Sequence, residues 1–466
     1  MRTLILCALA FNTLASVAAT VDEVIVRQQW PWSTDVKVEY QISGIEAPVD
    51  IKVKVFDAGN ELAEGDVYEA ISGKLYGISS DCAGSFTIDP AKLFGEAKVF
   101  SSPFSVSLSL EPSADNLDET LYRIYNLESP YDVTNVTRKA LLNGEWGSVV
   151  TDFSRIGKGF NTTLKDVVIW TGVTNDVKYK TTHLVMRKIP ASGKEWKIGA
   201  PDGELGRVKA SEIDETQHTV KLSSDYFIGV FEVTQAQDKK YAGYIRTPAH
   251  QGDLLPMEND HYQGLRGKYN GTTELDPYGE VVNWPTNSFL HTVYSNSDIG
   301  HLRNKTKIMF DLPTEAQWEF ACRAGTTNAL NSGKELTKGG SFYWKDDSEA
   351  FNEVGWCLCS SNPDNKITQE VGLKKPNAFG LYDMHGNVGE ACVNWCGAVD
   401  AGQEGNSIIL DPLGPTTGLG GCRTARGEGV NNYASKNRAA SRTQIGPSTP
   451  YAYIGFRFVC PEGDVW

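Results

Sequence analysis

Between Val21 and about Trp170 apolar and polar residues alternate in short runs, as in Val24-Ile25-Val26-Arg27-Gln28-Gln29-Trp30, Val36-Lys37-Val38-Glu39-Tyr40 and Val49-Asp50-Ile51-Lys52-Val53-Lys54-Val55. A side-chain period of two places one face of each run in a core and the other in solvent, so these runs predict half-buried strands. Phe104-Ser105-Val106-Ser107-Leu108-Ser109-Leu110 and Asp166-Val167-Val168-Ile169-Trp170 are further candidates. Asp57-Ala58-Gly59-Asn60, Ser72-Gly73 and Asp81-Cys82-Ala83-Gly84 are the turn signals that separate them. Short strands at this spacing predict an all-β region over residues 20–180, a sandwich of immunoglobulin-like type, with room for a small subdomain within 110–180.

The alternation ends at about Trp170, and a second domain over 181–466, with its boundary near Thr181, is expected to follow. Between Lys239 and Lys307 the chain is rich in Gly, Asn, Asp and Tyr, the composition of a long functional loop or a local excursion. Thr314-Glu315-Ala316-Gln317 then opens a helix. Thr314 can accept from the free amides of the first turn, and Gln317 can reach back to the cap. Trp318 and Phe320 begin its apolar face.

A length of 466 residues predicts two or three domains. Met1-Arg2, the apolar run from Leu4 to Ala10 and the small residues of Ser16-Val17-Ala18-Ala19 read as a cleaved secretory signal over 1–19. The mature chain is then expected to be secreted or periplasmic. No later window approaches the roughly 18 apolar residues of a membrane span. The formal charge of −14 is spread along the chain, which argues against a nucleic-acid partner. Cleavage removes Cys7 and leaves Cys82, Cys322, Cys357, Cys359, Cys392, Cys396, Cys422 and Cys460. Their even number in an exported chain favours disulfides, with buried thiols as the other common state. Cys357, Cys359, Cys392 and Cys396 are also a candidate set of zinc thiolates.

Several segments carry a family resemblance. They are Leu312-Pro313-Thr314-Glu315-Ala316-Gln317-Trp318-Glu319-Phe320, the run Pro376-Asn377-Ala378-Phe379-Gly380-Leu381-Tyr382-Asp383-Met384-His385-Gly386-Asn387-Val388-Gly389-Glu390, and the closing Ile454-Gly455-Phe456-Arg457-Phe458-Val459. With Ile189-Pro190-Ala191-Ser192-Gly193 and Asp225-Tyr226-Phe227-Ile228-Gly229 they resemble the sulfatase-modifying-factor family, whose founding activity converts a sulfatase cysteine to formylglycine. The resemblance implies an α+β fold over 181–466, of the C-type-lectin-like formylglycine-generating type. It also implies where the chemistry should lie. Formylglycine-forming members bind copper through two cysteines that follow an Arg-Gly-Gly-Ser-aromatic motif, and thiolates suit copper(I) because both are soft.

The corresponding segment, Arg426 to Arg442, contains no cysteine. No copper is therefore expected. Other motif positions have changed: Gly389 and Ala391 stand for two tryptophans, Glu428 and Val430 interrupt the Arg-Gly-Gly-Ser-Trp pattern, and Asp311 replaces an arginine. Such changes fit either a new ligand or compensated packing. The resemblance further implies a structural calcium ion at Asn387 and Glu390, whose side-chain oxygens are hard ligands. His385 reads as a turn or packing residue, and no pair of the seven histidines has the i, i+4 spacing of a metal site.

The expectation is an exported binding module with no catalytic residues. Its ligand, an unknown protein, peptide or glycan, would sit over Asn431, Asn432, Tyr433, Lys436, Asn437, Arg438 and Arg442, which offer hydrogen-bonding groups and an aromatic face. The competing expectation is an oxidoreductase of the formylglycine-generating type. That enzyme would use a metal on Cys357, Cys359, Cys392 and Cys396, or a metal-free reaction through His385, Asp383, Glu390 and Glu428.

Overall fold

The computed structural model describes residues 19–463, apart from 153–166, 268–292, 338–347, 359–366, 398–407, 416–420 and shorter stretches before 120 and at 130, 210–212 and 243–246. Residues 1–18 of the signal expected over 1–19, and Cys359, lie outside the described residues. The chain divides into two compact units. The first comprises Met1–Glu119 with Thr151–Lys158 and Thr163–Val168, and the second comprises Thr120–Val150, Gly159–Thr162 and Ile169–Trp466.

In the first unit the alternating runs become two antiparallel sheets. One contains Thr20–Gln28, Val36–Ser43, Cys82–Ile88 and Ile71–Gly73 in that order across the sheet, and the other places Val49–Asp57 between Asn60–Glu61 and Phe104–Pro112. Val36, Val38, Tyr40 and Ile42 of the first sheet share one core with Ile51, Val53, Val55, Val106 and Leu108 of the second. The turn expected at Asp81-Cys82-Ala83-Gly84 is corrected, because Cys82 begins a strand. A Cβ on Gly84 would come within 2.4 Å of the Tyr40 ring. That glycine marks a cross-strand ring packed on backbone rather than a turn.

The domain boundary expected near Thr181 lies inside the second unit. Its five-stranded sheet runs in the order Val459–Pro461, Tyr226–Gly229, His183–Ile189, Thr120–Asn126 and Val133–Thr137. The strand His183–Ile189 pairs with Thr120–Asn126 in the register Leu184↔Tyr125. Tyr125 and Leu127 thereby join Met186, Phe227, Phe310 and Phe458 in the core of this unit. The physical reason is exposure: without Thr120–Asn126, His183–Ile189 would present an unpaired edge and an uncovered apolar face.

A four-stranded sheet positions the site. Its order is Arg442–Ile445, Arg423–Arg426, Gly389–Trp395 and Ile454–Gly455. The helix Glu315–Arg323 packs on it and starts as the sequence predicts: Thr314 Oγ1 accepts from Gln317 N at 3.1 Å, and Gln317 Oε1 accepts from Thr314 N at 2.9 Å. Every residue of this helix is buried. No described helix is long and apolar enough to cross a membrane.

Candidate functional site

The segment Gly427–Ser441 connects two antiparallel strands that pair in the register Arg426↔Arg442. It is held at many points along its length. Val430 N donates to Asn387 O at 2.9 Å, Leu358 N to Asn432 O at 2.9 Å, and Ala439 N to Ala329 O at 3.0 Å. Backbone contacts of this kind make the loop a fixed surface.

Burial divides the seven expected ligand residues. Asn431, Asn432, Tyr433 and Lys436 are partly exposed, while Asn437, Arg438 and Arg442 are buried. Arg438 donates to Glu215 Oε2 at 2.8 Å and to Gly206 O at 2.7 Å, and also pairs with Glu204. Arg442 forms a two-pronged contact with Glu315, Nε to Oε2 at 2.6 Å and Nη2 to Oε1 at 2.7 Å. Asn437 Nδ2 donates to Tyr433 O at 3.0 Å. These three residues are therefore removed from the expected ligand face: the two arginines pair with carboxylates beneath the loop, and Asn437 is buried with its Nδ2 on the loop's own backbone. Arg426 completes these pairs by bridging Glu315 and Glu319. The charges are costly to bury and stable only as a matched set.

Glu428 joins the exposed face as a residue the ligand expectation did not include. Its Oε2 accepts from Asn432 Nδ2 at 2.7 Å. Burial pushes its carboxyl up to about 7, with Lys436 opposing the shift. Its φ is +47°, in the left-handed region that a β-carbon disfavours. Tyr453, close by, has φ +72°, and a Cβ on Gly429 would come within 2.7 Å of the Tyr453 Cβ. Left-handed backbone at two bulky residues in one place is the kind of strain that functional sites hold. The signal in the sequence was the carboxylate where the motif carries its second glycine.

The other acids are locked. Glu390 accepts from Arg457 Nη2 at 2.7 Å, from Arg457 Nε at 2.8 Å and from Trp318 Nε1 at 2.7 Å. Asn387 spends its Oδ1 on Gln369 N at 2.8 Å and its Nδ2 on Glu232 Oε2 at 2.7 Å. The calcium expected on Asn387 and Glu390 does not fit these residues, since their oxygens already face an arginine, an indole and a backbone amide. Among the described residues no group of three or more His, Cys, Asp or Glu is placed to hold a metal ion. Asp383 is buried, which raises its carboxyl to about 6.

His385 is fixed at both nitrogens. Nε2 accepts from Asn331 N at 2.9 Å, and Nδ1 lies 2.8 Å from Asn437 O, which makes Nδ1 the protonated nitrogen. Burial lowers its pKa to about 4. Cys322 Sγ lies 3.9 Å from Nε2, but burial pushes that thiol far up, so thiolate and imidazolium do not form as a pair. The metal-free set of His385, Asp383, Glu390 and Glu428 is not assembled as a reactive centre: only Glu428 reaches the exposed face.

Residues 188–461 match the family model described as a Sulfatase-modifying factor enzyme 1-like domain, which spans more than half of the chain. The chain belongs to the sulfatase-modifying-factor family. It is 26% identical to the formylglycine-generating enzyme of Mus musculus over 50% of this chain and 65% of that protein. With the formylglycine-generating enzyme of Thermomonospora curvata it shares 33% identity over 31% of this chain and 48% of that protein. The chain thus spans less than two thirds of either relative. Among solved structures it is similar to Treponema denticola variable protein 1, with a TM-score of 0.40 and 24% identity over 60% of this chain and 95% of that one.

Three departures from the family motif are accounted for by packing. A Cβ on Gly389 would meet Ile454 Cδ1 at 2.7 Å and Glu428 Cα at 3.3 Å, so these two residues close on the glycine. Ala391 lies in the apolar core with Phe456 and Phe458. Asp311 anchors Arg266, which donates through Nε at 2.7 Å and Nη2 at 2.8 Å, and also accepts from Arg303 at 3.2 Å. Asp311 is a buried ion-pair partner and no part of the exposed face.

Proposed function

We propose that this member of the sulfatase-modifying-factor family is an exported binding module that recognises a protein, peptide or glycan through Glu428, Asn431, Asn432, Tyr433 and Lys436. The observation that carries the reading is the chemistry of the Gly427–Ser441 loop: it presents amides, a phenol, an ammonium and a carboxylate, and no thiol. Such a face offers hydrogen-bond donors and acceptors and an aromatic surface on a rigid support, which suits recognition. Copper-dependent oxidation forms no part of the proposal, because amide side chains supply no soft anionic ligand. Export rests on the leader-like start of the sequence, and the immunoglobulin-like character of the first unit rests on its two antiparallel sheets over one core.

The full mature chain, with residues after 19, is to be applied to immobilised glycan and peptide arrays beside the Asn431→Ala/Tyr433→Ala/Lys436→Ala variant. Retention by the parent and loss by the variant is the expected result. Equal retention of both would remove the loop from the reading, and conversion of a cysteine peptide to formylglycine would replace it with the family reaction.

A further inference from the structure

We propose that Cys396 and Cys422 are a disulfide-forming pair that closes the strand end opposite the recognition loop. The proposal rests on strand register and is independent of the binding reading. Gly389–Trp395 and Arg423–Arg426 pair antiparallel, with Trp395 opposite Arg423. One step further along each strand sets Cys396 opposite Cys422. Cys396 N donates to Cys422 O at 2.9 Å, which confirms that the pairing continues to these residues. Directly opposed antiparallel residues joined by such a bond have Cα atoms about 5.5 Å apart. Disulfides span about 4.4–6.8 Å, so the bond needs no movement of the backbone. The two thiols are already within hydrogen-bonding reach of one another.

The roles of the two sulfurs differ. Cys422 is partly exposed and Cys396 is buried. Burial and the neighbouring Cys422 thiol push the Cys396 thiol up to about 12, so Cys396 is a poor initial nucleophile. With a small-molecule disulfide such as oxidised glutathione, the Cys422 thiolate attacks one glutathione sulfur and releases the other as glutathione thiolate. Cys396 Sγ then attacks Cys422 Sγ, its proton passes to solvent, and the second glutathione leaves as a thiolate. Two protein thiols are oxidised to one disulfide, and one oxidised glutathione is reduced to two thiols.

The bond would act where this strand pair is weak. The pairing is irregular between Ala391 and Trp395, leaving Trp395↔Arg423 separated from Glu390↔Arg426. At the far end, Arg426 leads directly into the loop that carries Glu428 and Asn432. A covalent link at Cys396–Cys422 pins the register of both strands, and a slip of one residue would turn every side chain to the opposite face.

The test uses the intact chain, incubated with oxidised and reduced glutathione at several ratios, then denatured, alkylated without reduction, digested and mapped by mass spectrometry. The expected product is a crosslinked peptide pair containing Cys396 and Cys422, lighter than the two peptides by two hydrogens and absent after reduction. An oxidised form melting above the reduced form is expected for the parent and for Cys392→Ser, with no such difference in Cys422→Ser. Alkylation of both cysteines after oxidation would overturn the proposal. So would Cys422 carrying glutathione while Cys396 stays a thiol, since that outcome means the second sulfur cannot reach. Mapping the unmodified chain keeps the test valid if a serine variant fails to fold.

Discussion

Replacing Glu428 by glutamine separates the charge of this residue from its shape. Burial raises the carboxyl from an ordinary value of 4.5 to about 7. A folded-state pKa above the unfolded one means that the folded chain binds the proton more tightly. The group's contribution to stability is therefore fully present below about 4.5 and is lost as pH rises to about 7. Fully felt, the difference is worth ~3 kcal/mol at ~1.4 kcal/mol per pH unit. Partial exposure of the side chain and screening by solvent reduce this to roughly 1–3 kcal/mol. Glutamine keeps the acceptor for Asn432 Nδ2 and never ionises. Glu428→Gln is thus expected to match the parent near pH 4.5 and to melt above it at pH 8, by about 1–4 °C for a unit of this size. Melting curves of both proteins at a series of pH values test this, because other titrating groups cancel in the difference. A constant offset at all pH values, or a variant less stable than the parent at pH 8, would refute the assignment of Glu428 as a half-buried carboxyl held against its charge.

Arg438→Met should leave Glu204 and Glu215 buried without their cation and lower stability by about 3–5 kcal/mol in chemical denaturation. Burial already raises the Glu204 carboxyl, so the loss should be larger at pH 8 than at pH 5, where protonation relieves it. A variant of normal stability would return Arg438 to the ligand face. Gly389→Trp, which restores the family residue, should cost about 1–3 kcal/mol because Ile454 and Glu428 close on that position. An unchanged melting temperature would show the volume to be open. The Asn431→Ala/Tyr433→Ala/Lys436→Ala variant should stay within about 0.5 kcal/mol of the parent, as substitutions away from the core usually do. A large loss of stability would make these side chains structural.

Structure is legible in the sequence where the physics is local. The strands at Val36, Val49 and Phe104 follow from side-chain alternation, and the Thr314 to Gln317 capping box follows from residues three apart. The pairing of Thr120–Asn126 is not legible near Thr181, because its partner, His183–Ile189, lies some way along the chain. Nothing within the strand states which sheet it joins. The same distance effect governs the site. Asn431 and Arg438 look alike as polar loop residues, but Glu204 and Glu215, which bury Arg438, belong to a segment more than two hundred residues earlier. Asp311 and Gly389 read as changes in a pocket, and only three-dimensional packing shows their partners. Glu428 carried a readable sign, a carboxylate at a glycine position, whose left-handed backbone explains why the change is costly.

In the proposed reading the family's domain carries a recognition loop where the copper thiols would lie. Aerobic conversion of a sulfatase-type cysteine peptide to formylglycine, followed by mass spectrometry with copper(I) supplied and withheld, tests it most directly. Unmodified cysteine is expected in both arms; formylglycine formed in proportion to the protein would overturn the proposed function.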